Sequence, residues 1–173
     1  MFSPTLRLIL IAIFLVGGIA AIVTQLGAYV VIAFFSTAAI LLLGHFQHGP
    51  MLAILLALRK GKVGEAEQLL ASIKRPHWLS KRYKAYYYFA NSLVATHRQD
   101  PPGAVDYANL ALDLNQLHDK EKGILVYNLA RMAYQSASFD QAKAHLNTLK
   151  NLAVDDLHLK KRVQELETAL QNK

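Results

Sequence analysis

The chain has 173 residues, 53% of them hydrophobic, with no cysteine and a net charge of +7. That length allows one domain with attachments, and the absence of cysteine excludes a cysteine nucleophile and agrees with a reducing compartment. Charge is unevenly spread: no Asp, Glu, Lys or Arg occurs from Leu8 to Leu58, whereas residues 59–98 carry +7 and residues 99–173 carry −1. The sequence therefore joins an apolar N-terminal part to a charged C-terminal part.

The apolar part, residues 1–46, predicts a transmembrane helical hairpin. Its two spans, about 5–24 and 27–44, approach the roughly 20 apolar residues that cross a bilayer. Arg7 precedes the first span and Arg59 follows the second, so the positive-inside rule places both termini in the cytoplasm of an inner (plasma) membrane. Two alternatives stay open: a signal peptide cleaved near "GGIAA" and a buried soluble hairpin.

Residues 47–173 show helical periodicity without strand-like alternation. The stretch "NLARMAYQSASFDQA", residues 128–142, resembles the tetratricopeptide repeat (TPR), a 34-residue unit of two antiparallel helices. The middle copy fits this register if "HRQDPPG" holds about two extra residues. The predicted repeats span about 47–80, 81–118 and 123–156, and a capping helix spans 155–172. We therefore predict an all-α fold, in which a transmembrane hairpin precedes a short TPR-like α-solenoid.

The resemblance implies a concave groove, lined mainly by first helices, that holds a peptide or helix of a partner protein. Aromatic rings offer contact area, and Lys or Arg can meet a carboxylate. The first copy offers no matching Lys or Asn, so a complete clamp for a C-terminal carboxylate is missing. The predicted partner-binding groove consists of Lys84, Tyr87, Tyr88, Asn91, Tyr127, Asn128, Arg131 and Tyr134.

Inner-membrane proteins associated with heme synthesis also join two spans to such repeats. The link between the spans is much shorter in this chain, and we do not assign the chain to that group.

A basic cluster follows the hairpin and predicts contact with an anionic lipid surface, which attracts such segments by about 1 kcal/mol per residue. Its predicted contact residues are Arg59, Lys60, Lys62, Trp78, Lys81 and Arg82. The same charges could meet nucleic acid, but nucleic-acid-binding domains usually spread charge along a dedicated face. We therefore expect lipid and a protein partner, and no nucleic acid.

The sequence contains no Gly-rich phosphate loop, HExxH motif or nucleophile elbow. His45 and His48 could share one helical face, but no third ligand lies near them in sequence. We therefore predict no catalytic residue, no metal and no cofactor.

These patterns favour a non-enzymatic scaffold or adaptor that binds a protein partner at the cytoplasmic face of the membrane. One alternative is a small accessory or assembly subunit of a larger membrane complex, associating chiefly through its hairpin. The other is an enzyme: a membrane-bound hydrolase, or a metal-dependent one that uses His45 and His48.

Overall fold

A computed structural model describes residues 4–25, 27–48 and 50–172, without the side chains of residues 4, 5, 7, 8 and 43–48. The described residues form helices and no strand, which confirms the all-α class. They divide into two compact units. One contains the chain up to Pro50 together with Arg75–Ser80, and the other contains Met51–Lys74 with Lys81–Lys173.

The first unit is built on a helical hairpin of α1 (Pro4–Val23) and α2 (Ala28–His48), which pack against each other. Glycines permit their close approach. A Cβ atom added to Gly17 would lie 2.6 Å from the Phe34 ring, and one on Gly18 would lie 3.0 Å from the Phe35 ring. The two glycines therefore stack α1 onto aromatic rings of α2 at a distance that no larger residue allows without a shift.

Large apolar side chains cover the exposed surface of this hairpin. Among the side chains that the structure describes between Leu6 and Leu42, fourteen large apolar ones are exposed, with Val23 at 76% and Tyr29 at 89%. Among the described residues, no helix is both long enough and apolar enough to cross a membrane. The two predicted spans coincide in position with α1 and α2, and the transmembrane assignment stays a prediction.

The second unit consists of seven described helices. Consecutive helices pack as three pairs, α3 with α4, α5 with α6 and α7 with α8, and α9 packs on α7 and α8. These helices are α3 (Met51–Arg59), α4 (Val63–Ala71), α5 (Lys81–His97), α6 (Pro101–Asp113), α7 (Asp119–Gln135), α8 (Phe139–Lys150) and α9 (Leu157–Gln171).

The helices of this unit follow a constant spacing of 38 residues. Helices α5, α7 and α9 begin at Lys81, Asp119 and Leu157, so successive starts lie 38 residues apart. Helices α4, α6 and α8 begin at Val63, Pro101 and Phe139, which gives the same interval. In this register α9 is equivalent to the first helix of a pair.

The turn inside each pair also repeats. Its central residue has a positive φ: 71° at Gly61, 59° at Gln99 and 59° at Ala137. The next N–H donates to the carbonyl five residues earlier, as in a Schellman turn; the bonds run from Lys62 to Ala57, Asp100 to Ala95 and Ser138 to Ala133. Because all three connectors have the same length, the two extra residues expected within "HRQDPPG" are absent from the described turn and that expectation is wrong.

Alanine occupies the position where the two helices of each pair meet. Ala66, Ala104 and Ala142 are all fully buried and lie 38 residues apart. Because a methyl group is the smallest side chain that still fills such a site, the helices can approach closely there. A buried alanine thus recurs at the same position in the second helix of each of the three described pairs.

Candidate functional site: a groove along the first helices

A cavity of about 750 Å³ lies in the second unit, where the first helices of successive pairs meet. Helices α3, α5, α7 and α9 all contribute to its lining. The polar and charged lining residues are Thr96 and His97 on α5, Gln99 and Asp100 in the turn between α5 and α6, Asn128, Arg131 and Gln135 on α7, and Arg162 on α9. Val63 of α4 and Pro101 of α6 also line the cavity. We call this cavity the groove.

Equivalent positions of successive first helices line the groove. Leu93 on α5 and Arg131 on α7 are one such pair, 38 residues apart, and Ile124 on α7 and Arg162 on α9 are another. The groove is therefore a property of the stacked helices and not of a single loop.

The groove is cationic. Arg131 lines it, and its Nε atom is buried without a hydrogen-bond partner in the described structure. The guanidinium of Arg162 lies 4.8 Å from the centre of the Tyr127 ring, a cation–π geometry. The carboxylate of Asp100 also lines the groove, but it accepts a hydrogen bond from the Gly103 N–H at 3.1 Å and so caps α6. The lining thus contains two arginines and one carboxylate, and that carboxylate already accepts a hydrogen bond.

The α7 half of the predicted groove divides between cavity and core. Asn128 and Arg131 line the groove. Tyr127 is only 7% exposed and belongs to the core formed with α8 and α9. Tyr134 packs against the same core, with its ring centre 5.7 Å from that of Phe139. The two tyrosines therefore hold the helices together.

The α5 half of the predicted set lies outside the lining of this cavity. Tyr88 stacks on Tyr107 of α6 at 6.3 Å between ring centres, and its ring meets that of Tyr87 at 5.6 Å. Asn91 donates from Nδ2 to the Tyr87 carbonyl at 2.8 Å, and burial raises the pKa of the Tyr87 hydroxyl. Lys84 is half-buried on the same helix. As a binding surface these residues stay a prediction.

The separation of the two halves has a geometric cause. The predicted α5 and α7 positions are 40 residues apart, as in Tyr87 and Tyr127 or Asn91 and Arg131, whereas the structure repeats every 38. An offset of two residues corresponds to a rotation of about 200° around the helix axis. The two predicted sets therefore lie on different faces of their helices. The sequence signal for the correct interval is the 38-residue spacing of Ala66, Ala104 and Ala142. Applied to the groove positions of α7, this spacing identifies Leu93 as the equivalent of Arg131 and His97 as the equivalent of Gln135.

The predicted membrane-surface residues are exposed in both units. In the repeat unit Arg59, Lys60, Lys62, Lys81 and Arg82 are exposed. Lys62 pairs with Glu65 at 3.2 Å, and Arg82 donates from Nη2 to His118 Nε2 at 3.0 Å. Trp78, in the hairpin unit, is 46% exposed. Their contact with lipid stays a prediction.

The described residues contain no group of three or more His, Cys, Asp or Glu side chains that could hold a metal ion. His45 and His48 belong to the end of α2, and their side chains lie outside the described residues. The use of these two histidines by an enzyme stays a prediction.

Comparison with known proteins gave no assignment: no protein-family model, curated protein or solved structure matched the chain. The resemblance to TPR proteins thus stays a prediction. The observed period of 38 residues is longer than the roughly 34 residues of that repeat.

Proposed function

We propose that the chain is a non-enzymatic, TPR-like scaffold that holds a segment of a protein partner at the cytoplasmic face of a membrane. The observation that carries this proposal is the groove of about 750 Å³ along four first helices. A concave site of that size, built from rigid helices, suits an extended segment because little order has to be gained on binding.

The charge of the groove supports an acidic segment. Arg131 and Arg162 line it, and the carboxylate of Asp100 is engaged as a helix cap. Arginine forms paired hydrogen bonds with carboxylates, and the buried Nε of Arg131 lacks a partner in the described structure. A carboxylate from the partner would pair with the guanidinium groups of Arg131 and Arg162 that line the groove.

The membrane part of the proposal rests on the hairpin. Its fourteen exposed large apolar side chains form a surface far larger than a soluble monomer usually shows. All of them except Leu6 lie in the stretch from Leu8 to Leu58 that carries no charged side chain. We propose that both helices enter the bilayer with the two termini in the cytoplasm, as the flanking Arg7 and Arg59 favour.

Crosslinking within the source cells tests the groove. A photo-crosslinking residue at His97 or Gln135, both in the groove lining, is expected to capture the same partner. Lys161 is an exposed residue beside Arg162 on α9 and is outside the lining, so a crosslinker there serves as the matched control. Arg162→Glu should abolish capture and Lys161→Glu should not. Identical products from the groove and control positions would contradict the proposal.

Membrane insertion has a separate test. The chain has no cysteine, so a single Thr24→Cys or Ser72→Cys variant can be labelled without background. We expect the protein to resist alkaline extraction, with the cysteine at 24 reactive from the periplasmic side and that at 72 reactive from the cytoplasmic side. Release by alkali would refute insertion.

The exposed apolar surface of the hairpin also favours the accessory-subunit alternative. The face of α1 that carries Gly17 and Gly18 already packs on α2, so a partner helix would have to use the remaining faces. Replacing residues 1–46 with an unrelated hairpin separates the two candidates, because association through the groove survives the exchange and association through the hairpin does not.

A further inference from the structure

The segment Arg75–Ser80 departs from the repeat that surrounds it. In the 38-residue register it corresponds to 113–118 and 151–156, which belong to the repeat unit. Arg75–Ser80 belongs instead to the unit that contains the hairpin. Helix α4 ends at Ala71, whereas α6 continues to Asp113, the position equivalent to Arg75. The chain uses the residues gained by this early ending for a separate 3₁₀ turn, Pro76–Trp78.

The exposed side chains of this turn combine aromatic rings with a cation. The Arg75 guanidinium lies 4.8 Å from the Trp78 ring centre. The His77 ring meets Trp78 edge-on at 6.1 Å. Tryptophan and arginine are the residues that favour the headgroup level of a bilayer, where a ring finds an apolar layer and a cation finds phosphate.

We infer that Arg75, His77 and Trp78 form an interfacial anchor that contacts the headgroup layer of a membrane containing anionic lipid. The inference deepens the proposed function and rests on its membrane part. Two features favour lipid as the occupant: the same compact unit carries the fourteen exposed large apolar side chains of the hairpin, and neither residues 1–50 nor residues 75–80 contain an acidic residue. A cationic turn in one unit with an apolar hairpin whose sequence contains Arg7 and no acidic residue matches an anionic lipid surface.

Trp78 is the only tryptophan of the chain, so its fluorescence reports directly on the anchor. The experiment uses the full chain reconstituted in phosphatidylcholine vesicles with and without phosphatidylglycerol. We expect a blue-shifted emission, protection from iodide in the water, and stronger quenching by lipids brominated near the headgroup than by lipids brominated deep in the acyl chain. The quenching should increase with phosphatidylglycerol, and Arg75→Gln should remove that increase.

The repeat supplies a matched control. Gln116 is the exposed residue 38 positions after Trp78, in the connector before α7. In the double variant Trp78→Phe, Gln116→Trp, the emission should be quenched more strongly by iodide and more weakly by brominated lipid than that of Trp78.

Flotation of the vesicles distinguishes failure of the inference from failure of the proposed function. A chain that floats with the vesicles while Trp78 stays open to iodide overturns the anchor alone, as does equal lipid quenching at positions 78 and 116. A chain that does not float overturns the anchor and the membrane part of the proposed function together. Protection of Trp78 that requires an added protein, and not lipid, also overturns the anchor.

Discussion

Arg82 donates a hydrogen bond from Nη2 to Nε2 of His118 at 3.0 Å. Thirty-eight residues further along, Lys120 Nζ lies 2.9 Å from the carboxylate of Asp156. In both cases a basic residue in the first turn of one first helix contacts the N-cap residue of the next. The contact is thus a repeated link between neighbouring pairs, although the acceptor is an imidazole in one copy and a carboxylate in the other.

This link predicts that His118→Asp stabilises the protein. The carboxylate would pair with Arg82 as Asp156 pairs with Lys120, and it would cap α7, where the described His118 side chain makes no cap hydrogen bond. We expect a gain of about 1 kcal/mol at neutral pH, measured by thermal unfolding of the full chain in mild detergent. His118→Asn serves as the control that caps without charge, and an equal gain from both variants would show that the ion pair contributes nothing.

The turns predict a pair of opposite effects. Ala137 has a φ of 59° and Gly61 a φ of 71°, a region that costs a residue with a Cβ roughly 1–2 kcal/mol. Ala137→Gly should therefore raise the unfolding free energy by about 1 kcal/mol after allowance for glycine's entropy. Gly61→Ala should lower it by a similar amount through strain alone, because open space surrounds Gly61. Equal signs for the two substitutions would contradict this account.

The buried alanines predict intolerance to larger side chains. Ala142 is fully buried in the core of α7, α8 and α9, so Ala142→Leu should cost about 1–3 kcal/mol by overpacking. Ala144 is exposed on the same helix, and Ala144→Leu should change stability by less than about 0.5 kcal/mol. Similar unfolding temperatures for the two variants would show that the helices do not cross at Ala142.

We expect the side chains of Asp156 and His145 to make the protein less stable in acid, each in a different pH range. A hydrogen bond from Lys120, and then one from the Leu159 N–H, lower the pKa of Asp156, so its contribution is present above about pH 4 and lost as the pH falls below that value. Burial lowers the pKa of His145; the unfolded chain then binds the proton more readily, and stability decreases below about pH 6.5. The measurement is the unfolding temperature of each variant from pH 8 to pH 3. We expect Asp156→Asn to remove the decrease below about pH 4 and His145→Gln to remove the decrease below about pH 6.5. A profile left unchanged by both substitutions would assign the acid sensitivity to other groups.

Much of the fold is readable from the sequence, because apolar periodicity marks the helices and small residues mark their crossings. The 38-residue spacing of Ala66, Ala104 and Ala142 is visible in the sequence, and Gly61 is a residue type typical of turns. The orientation of the first helices was not, since α7 buries every residue from Leu125 to Ala130 and so has no single apolar stripe. A helix packed on several sides gives no periodic signal for the face that lines a groove. Only the interval between repeats carries that information: the predicted positions follow a 40-residue interval, which places Tyr87 and Asn91 on a different face from their α7 counterparts, Tyr127 and Arg131.

The constant 38-residue interval also makes the helix pairs of the second unit interchangeable. Each pair meets its neighbour through equivalent positions, so stability should add pair by pair, as in other stacked repeats. Residues 101–138 run from the start of α6 to the end of the turn after α7. A second copy placed directly after Ser138 would begin with a helix where α8 begins now, and it would end with the same turn before α8. Such a chain is expected to gain one helix pair, with the groove longer by one further set of lining positions and its first helices still in register.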